Sequence, residues 1–216
     1  MTAEGLALPT GAVDPHDRVL LVACGALARE VLALVRQDGL QAIDLTCLPA
    51  LLHNRPDKIA EAVRMRVQDG KRQGYRHISV LYAECGTGGA IDAVCAEEGV
   101  ARIAGPHCYA FFEGPETFAS RADEEIGAFY LTDFLARQFD AIVWRGLGLD
   151  RHPELRDCYF GHYDRVVYLA QTDDPALDRA AEAAAERLGL AFVRRFTGFG
   201  GLGHAVRDAA RQLGGG

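Results

Sequence analysis

Apolar residues along this chain follow two rhythms that alternate from one end to the other. Continuous apolar runs, the pattern of strands buried on both faces, occupy residues 18–24, 42–47, 77–84, 100–105, 165–171 and 190–196. Between them, apolar positions recur at the three- and four-residue spacing of one helix face. Leu27, Val31, Leu34 and Val35 make one such stripe; Ile59, Val63 and Val67 make another, opened by Asp57 and closing near Gly70. A third helix is predicted from Ala90 through Glu98. Thr132 and Asp133 open what reads as the longest, with Leu131, Phe134, Leu135, Ile142 and Leu147 on one side. Residues 153–159 suit a short helix or turn, an alanine-rich helix starts at Pro175 and stops at Gly189, and a last one covers 203–213.

Strand alternating with helix predicts an α/β fold, here a single-domain parallel sheet of about six strands built from repeated strand-helix-strand units. A length of 216 residues suits one sizeable core, so a loose leader is expected over 1–16 and one α/β domain over 17–216. The cysteines suggest a repeat inside that domain. Cys24 and Cys85 each end a run and each precede a glycine, and they stand 61 residues apart, as do Cys47 and Cys108. The two units should then superpose, Cys24 over Cys85 and Cys47 over Cys108.

Charge narrows the function classes. The net charge of −7, with Lys and Arg scattered, argues against a nucleic-acid surface. No apolar run approaches the roughly 20 residues that span a bilayer, and no basic-then-apolar leader opens the chain. A cytoplasmic protein without membrane or nucleic-acid partners is expected. Its six cysteines then read as metal-binding, catalytic or buried rather than disulfide-bonded.

Parallel sheets bind ligands beyond the carboxyl ends of their strands, and four cysteines are predicted on that edge. Residues 80–95 concentrate the chemistry. Glu84 and Cys85 end a strand, and Gly86, Thr87 and Gly88 form a turn where a cofactor could approach the backbone. A thiol at the start of a helix is expected to favour the thiolate. Cys85, Glu84 and His107 are the catalytic candidates. Cys24, Cys85 and Cys108 are the first metal ligands, with Cys47, His53 or His107 completing the set, or that place left open for a small-molecule substrate. Such donors suit zinc or an iron–sulfur cluster. Cys95 falls on the apolar side of its helix with Ile91 and Val94 and is expected in the core. Cys158, in a loop beside Tyr159, could serve either way.

Two other readings stand beside the metal. Cys24 and Cys85 could act as acid and base on opposite faces of a substrate carbon, as in a metal-independent two-cysteine isomerase or racemase. A non-catalytic carrier of a metal or small molecule is the third. Residues 198–203 match the dinucleotide glycine pattern, with Gly200 a candidate for contact with a bound anion. The chain ends too soon after it for a ribose-binding acid, which favours a plain tight turn.

At Val22-Ala23-Cys24-Gly25-Ala26, Leu48-Pro49-Ala50-Leu51-Leu52-His53-Asn54-Arg55-Pro56, Tyr82-Ala83-Glu84-Cys85-Gly86-Thr87-Gly88 and His107-Cys108-Tyr109, the chain resembles a bacterial and archaeal domain-of-unknown-function family, the one numbered sixteen thirty-eight. The likeness runs from about Arg18 to His204. It implies a role beside corrinoid-dependent methyl transfer in one-carbon metabolism, as an enzyme or accessory factor, with a corrinoid or methyltransferase protein as partner. Methyl transfer to thiols commonly uses zinc with cysteine and histidine ligands, so the resemblance favours zinc over an iron–sulfur cluster and agrees with the cysteine set.

Overall fold

The computed structural model describes residues 14–213. Most of the expected leader lies outside the described residues; its end, Pro15–Asp17, is a single 3-10 turn capped by the Asp14 carboxylate, which accepts from the His16 N–H.

The chain then alternates as β1 (Val19–Cys24), α1 (Ala28–Gln37), β2 (Ile43–Leu48), α2 (Ile59–Arg72), β3 (His77–Leu81), α3 (Ala90–Glu98) and β4 (Ala101–Arg102). These strands form one parallel sheet in the order β2-β1-β3-β4. The segments α4 (Tyr109–Glu113) and α5 (Pro115–Ser120) come after it. Next are β5 (Ala128–Thr132), α6 (Asp133–Arg137), α7 (Leu155–Phe160), β6 (Arg165–Ala170), α8 (Pro175–Leu188), β7 (Ala191–Phe196) and α9 (Gly200–Arg211). Strands β5, β6 and β7 pair in that order as a second parallel sheet.

The α/β class is therefore as expected, but the strands divide between two sheets where one was expected. The chain forms two compact units, one running up to Cys108 and resuming at Gly201, the other Tyr109–Gly200. The reason lies in the stretch after β4. The strand stops at Arg102, Gly105 and Pro106 interrupt the ladder, and Pro106 has no N–H to give it. The next two elements are helical, so the second sheet starts afresh at Ala128.

Two local expectations also change. Leu131 belongs to a strand, β5, that its fit to a helical stripe concealed. The long helix predicted from Thr132 is broken instead. Thr132 does cap α6, its hydroxyl accepting from the Leu135 N–H at 3.3 Å, but α6 ends at Arg137 and a π turn comes next at Asp140–Trp144.

Each unit has its own core. In the first, Leu20, Val22, Ile78 and Val80 project from the sheet onto Ile59, Val63 and Val67 of α2 and onto Ile91, Val94 and Cys95 of α3. Each fully buried aliphatic side chain there is worth about 1.5–3 kcal/mol. In the second, Tyr168 and Ala170 of β6 pack with Leu131, Leu135 and the apolar stripe Leu177, Ala181, Ala184 and Leu188 of α8.

Candidate functional site

In the order β2-β1-β3-β4, the chain leaves β1 for β2 on one side and later returns to pair β3 on the other. Connections parting in this way open a crevice beyond the carboxyl ends of β1 and β3, where open parallel sheets bind their ligands. Cys24 is the last residue of β1. Beyond β3 the chain runs through buried Tyr82 and Ala83 to Glu84 and Cys85. The crevice is thus lined by sulfur on both sides.

The register corrects the expected repeat. Val19 pairs with His77 and Ala23 with Leu81, a ladder offset of 58 residues and not 61. One step further, Cys24 stands level with Tyr82, and Cys85 lies past the end of the strand. Cys47 sits inside β2 opposite Ala23, whereas Cys108 lies well beyond the end of β4. The cysteine pairs occupy non-equivalent places, so the 61-residue spacing is not a structural repeat.

The sulfurs of Cys47 and Cys85 are close enough to Cys24 for its charged form to be felt at each. The Cys24 thiol is pushed up by burial, partly offset by the Ala26 N–H and by Tyr82. Cys47 is pushed up to about 12 by burial and then by Cys24, against a smaller opposing pull from Arg66. Cys85 rises to about 11 by burial and then by Cys24, although the Cys108 N–H is donated to its sulfur. The expectation that helix starts would favour thiolates therefore fails. The dipole acts only within a helix's first turn, but α1 begins at Ala28, after a 3-10 turn, and α3 begins only at Ala90. Desolvation then decides.

Cys24 and Cys85 border the same apolar core, whereas the alternation of β2 turns Leu48 into that core and Cys47 toward the opposite face. Cys85 is also the one non-glycine described residue with positive φ, 52°, a conformation costly for any residue with a Cβ. The strain is held in place by the Cys85 N–H, donated to the Pro106 carbonyl at 2.9 Å, and by the Glu84 N–H, donated to Gly105 at 3.0 Å. Gly25, next to Cys24, allows a close approach on the other side: a Cβ there would lie 2.8 Å from the Leu48 carbonyl oxygen.

The glycine turn after Cys85 is folded around Glu84. Its carboxylate accepts from the Gly86 N–H at 2.8 Å, the Gly89 N–H at 2.9 Å and the Thr87 hydroxyl at 2.7 Å. Thr87 first and the amides after it hold Glu84 down to about 2, so it is ionised at neutral pH. The amides of Gly86 and Gly89 thus already have an anion. Gly200 lies in the other unit, at the start of α9, where a Cβ would meet the Phe112 carbonyl oxygen at 2.2 Å. Its lack of a side chain serves that close backbone packing.

His53 lies after β2 on a 3-10 turn, and His107 precedes Cys108. Both remain exposed, yet His53 is held below the ordinary histidine range by the chain around it and then by His107. Cys95 is 5% exposed in the core, as expected, and Cys158 is exposed on α7. Among the described residues, no three His, Cys, Asp or Glu side chains stand ready in metal-ligand positions. A pocket of about 240 Å³ bordered by His77, Val100 and Gln212 opens at the other, amino-terminal edge of the sheet, away from the thiols.

The residue that sequence reasoning missed here is Tyr82. Its ring packs in the first core, and its buried hydroxyl is pushed up by burial first, then by Cys24, with Cys85 and Cys47 after it. The one tyrosine within the apolar run before Glu84 was the available signal.

Residues 47–206 match the model of a family described as Protein of unknown function (DUF1638). The match takes in Cys47, Cys85 and Cys108 and begins after Cys24. No curated protein and no solved structure matches the chain. Among the described residues, no helix is long and apolar enough to cross a membrane.

Proposed function

This chain belongs to the DUF1638 family, a premise that brings no activity with it, and we propose that it binds a thiophilic metal ion, zinc in the first place, at the switch point of its four-stranded sheet. Cys24 and Cys85 are the first ligands. Cys108, Cys47, His53 or His107 completes the set, or a substrate takes the open place. The observation that carries the proposal is the pair Cys24 and Cys85, half-buried thiols that border one core at the carboxyl ends of β1 and β3, with Cys47 of β2 within electrostatic reach of Cys24. Cys24 makes ionisation harder for Cys47 and for Cys85, and Arg66 offers Cys47 an opposing positive charge. A divalent cation stabilises neighbouring thiolates at once and releases their protons. Binding would draw the sulfurs together to the roughly 2.3 Å zinc–sulfur distance.

A zinc ion held in this way would supply Lewis acidity, enough to deprotonate a further thiol bound to it. The chain's own residues exclude water from the sulfurs and fix Cys85 in its strained turn. That chemistry suits the one-carbon setting implied by the resemblance, as an enzyme or accessory factor receiving a methyl group from a corrinoid protein. The two-cysteine isomerase is less well supported. It needs one thiolate at neutral pH, and burial holds Cys24 and Cys85 protonated.

Metal analysis of anaerobically purified protein tests the proposal. One zinc per chain is expected, or a saturable zinc site in the stripped protein. Cobalt in its place should give a sulfur-to-metal absorption band. Cys24→Ser and Cys85→Ser should each lower metal affinity sharply, and Cys95→Ser should not. Folded protein that neither carries nor takes up stoichiometric zinc would overturn the reading.

A further inference from the structure

We propose that the pocket at the amino-terminal edge of the four-stranded sheet holds the phosphate group of a small molecule. The pocket encloses about 240 Å³, below the size that takes a drug-sized ligand, and all its lining residues belong to the first unit. It lies where β3 and β4 begin and where α2 and α3 end. Lys71, Arg76 and His77 line it beside the apolar Ile78, Val100 and Ala101. The whole chain carries 30 acidic residues against 23 Lys and Arg, yet no Asp or Glu lines this pocket. The concentration of bases runs against the charge of the molecule. It stands apart from the thiols at the other edge, so it does not depend on the metal reading.

Basic side chains near the carboxyl ends of helices commonly cap the last carbonyls, but here those carbonyls are already taken. The Gly70 carbonyl accepts from the Tyr75 N–H at 3.1 Å and the Lys71 carbonyl from the Gly74 N–H at 3.1 Å. In α3 the Cys95 carbonyl accepts from the Val100 N–H at 3.0 Å, and the Glu98 carbonyl from Lys71 Nζ at 2.6 Å. The side chains of Arg76, exposed, and His77, half-buried, make no hydrogen bond or ion pair among the described residues. Lys71 Nζ gives a second hydrogen to the Glu98 carboxylate at 2.8 Å, which leaves its third. Gln212 Nε2 gives one hydrogen to the Ser79 hydroxyl at 3.3 Å and keeps the other. The pocket thus gathers donors and positive charge whose acceptors the fold does not supply. An oxyanion supplies them. The planar guanidinium fork fits two oxygens of a phosphate, and a phosphate monoester carries about −1.5 to −2 charges near pH 7. The apolar residues suit the organic part of an ester, while free inorganic phosphate offers the same charged group.

Calorimetric titration of the whole chain at fixed ionic strength tests this, with phenyl phosphate and inorganic phosphate as separate probes. One saturable site per chain is expected. Tighter binding of phenyl phosphate assigns an ester, and equal or tighter binding of inorganic phosphate assigns the free ion; either supports the site. Arg76→Gln should weaken binding about tenfold or more, the effect of losing one charge-assisted hydrogen bond. His77→Gln should weaken it less. Both variants should melt at the parent temperature without phosphate, because neither side chain holds another part of the fold. Arg151→Gln removes the same charge from the second unit, at a side chain 75% exposed, and should leave the affinity unchanged. The proposal is overturned if the parent binds neither probe saturably, or if both pocket variants keep the parent affinity. An equal loss in Arg151→Gln would overturn it too, by showing that net charge and not the pocket attracts the anion. So would a pocket variant melting well below the parent without phosphate, which would give its side chain a structural role.

Discussion

Arg18 and Asp44 close the amino-terminal edge of the four-stranded sheet with a two-pronged ion pair. Arg18 Nε donates to Asp44 Oδ2 at 2.5 Å and Nη2 to Oδ1 at 2.7 Å. Tyr75 Oη donates to the same Oδ2 at 2.7 Å. Both charged residues are buried, and the Asp44 carboxylate raises the Arg18 pKa further. Asp44→Ala would strand a guanidinium and a phenol without their acceptor. The expected loss is about 3–5 kcal/mol of unfolding free energy, read from urea denaturation monitored by circular dichroism. A loss below about 1 kcal/mol, the range of solvent-exposed pairs, would mean that water reaches this edge.

Asp133 plays the corresponding part at the other sheet, at the carboxyl end of β5. Its carboxylate accepts from Tyr168 at 2.7 Å, from the Gln171 N–H at 3.0 Å and from the Thr172 hydroxyl at 2.6 Å. Gln171 Oε1 accepts in turn from the Asp133 N–H at 2.8 Å. Asp133→Ala leaves three donors without their acceptor, at about 1–3 kcal/mol for each that stays buried. Thermal melting should show a large drop for this variant and a clearly smaller one for Thr172→Val, which removes a single donor.

Glu84 makes stability depend on acid. Its folded pKa of about 2 lies below the ordinary 4.5, so the unfolded chain takes up the proton first. The stabilisation is complete above pH 4.5 and is lost as pH falls from there toward 2. Glu84→Gln should lower the melting temperature at neutral pH, and the gap from the parent should close on acidification. A gap that stays constant across that whole range would show that the carboxylate's charge does not hold the turn.

Cys95 packs in the first core with Ile91 and Val94. Cys95→Ala removes one sulfur from a close-packed region and should cost on the order of 1 kcal/mol. Zinc uptake should be unchanged. Loss of uptake in a folded variant would bring Cys95 into the metal centre.

The sequence by itself determined the alternation of strand and helix, the parallel pairing and the presence of sulfur at strand ends. Each of these comes from local periodicity and turn chemistry: the run 18–24 can bury both faces only within a parallel sheet, and the stripe Ile59, Val63 and Val67 marks one helix face wherever that helix packs. The fitting of one strand to another was beyond it. Equal spacing in the chain suggested that Cys85 matches Cys24, but a ladder aligns residues by pairing, and the pairing offset of 58 places Tyr82 there instead. The apolar runs also failed to predict two sheets, because whether β4 continues is decided by Gly105, Pro106 and the two helical segments after them. Thiol acidity was likewise decided by tertiary structure. A helix start favours a thiolate only when the sulfur lies in the first turn, and here intervening turns separate both sulfurs from their helices, so burial outweighs the dipole.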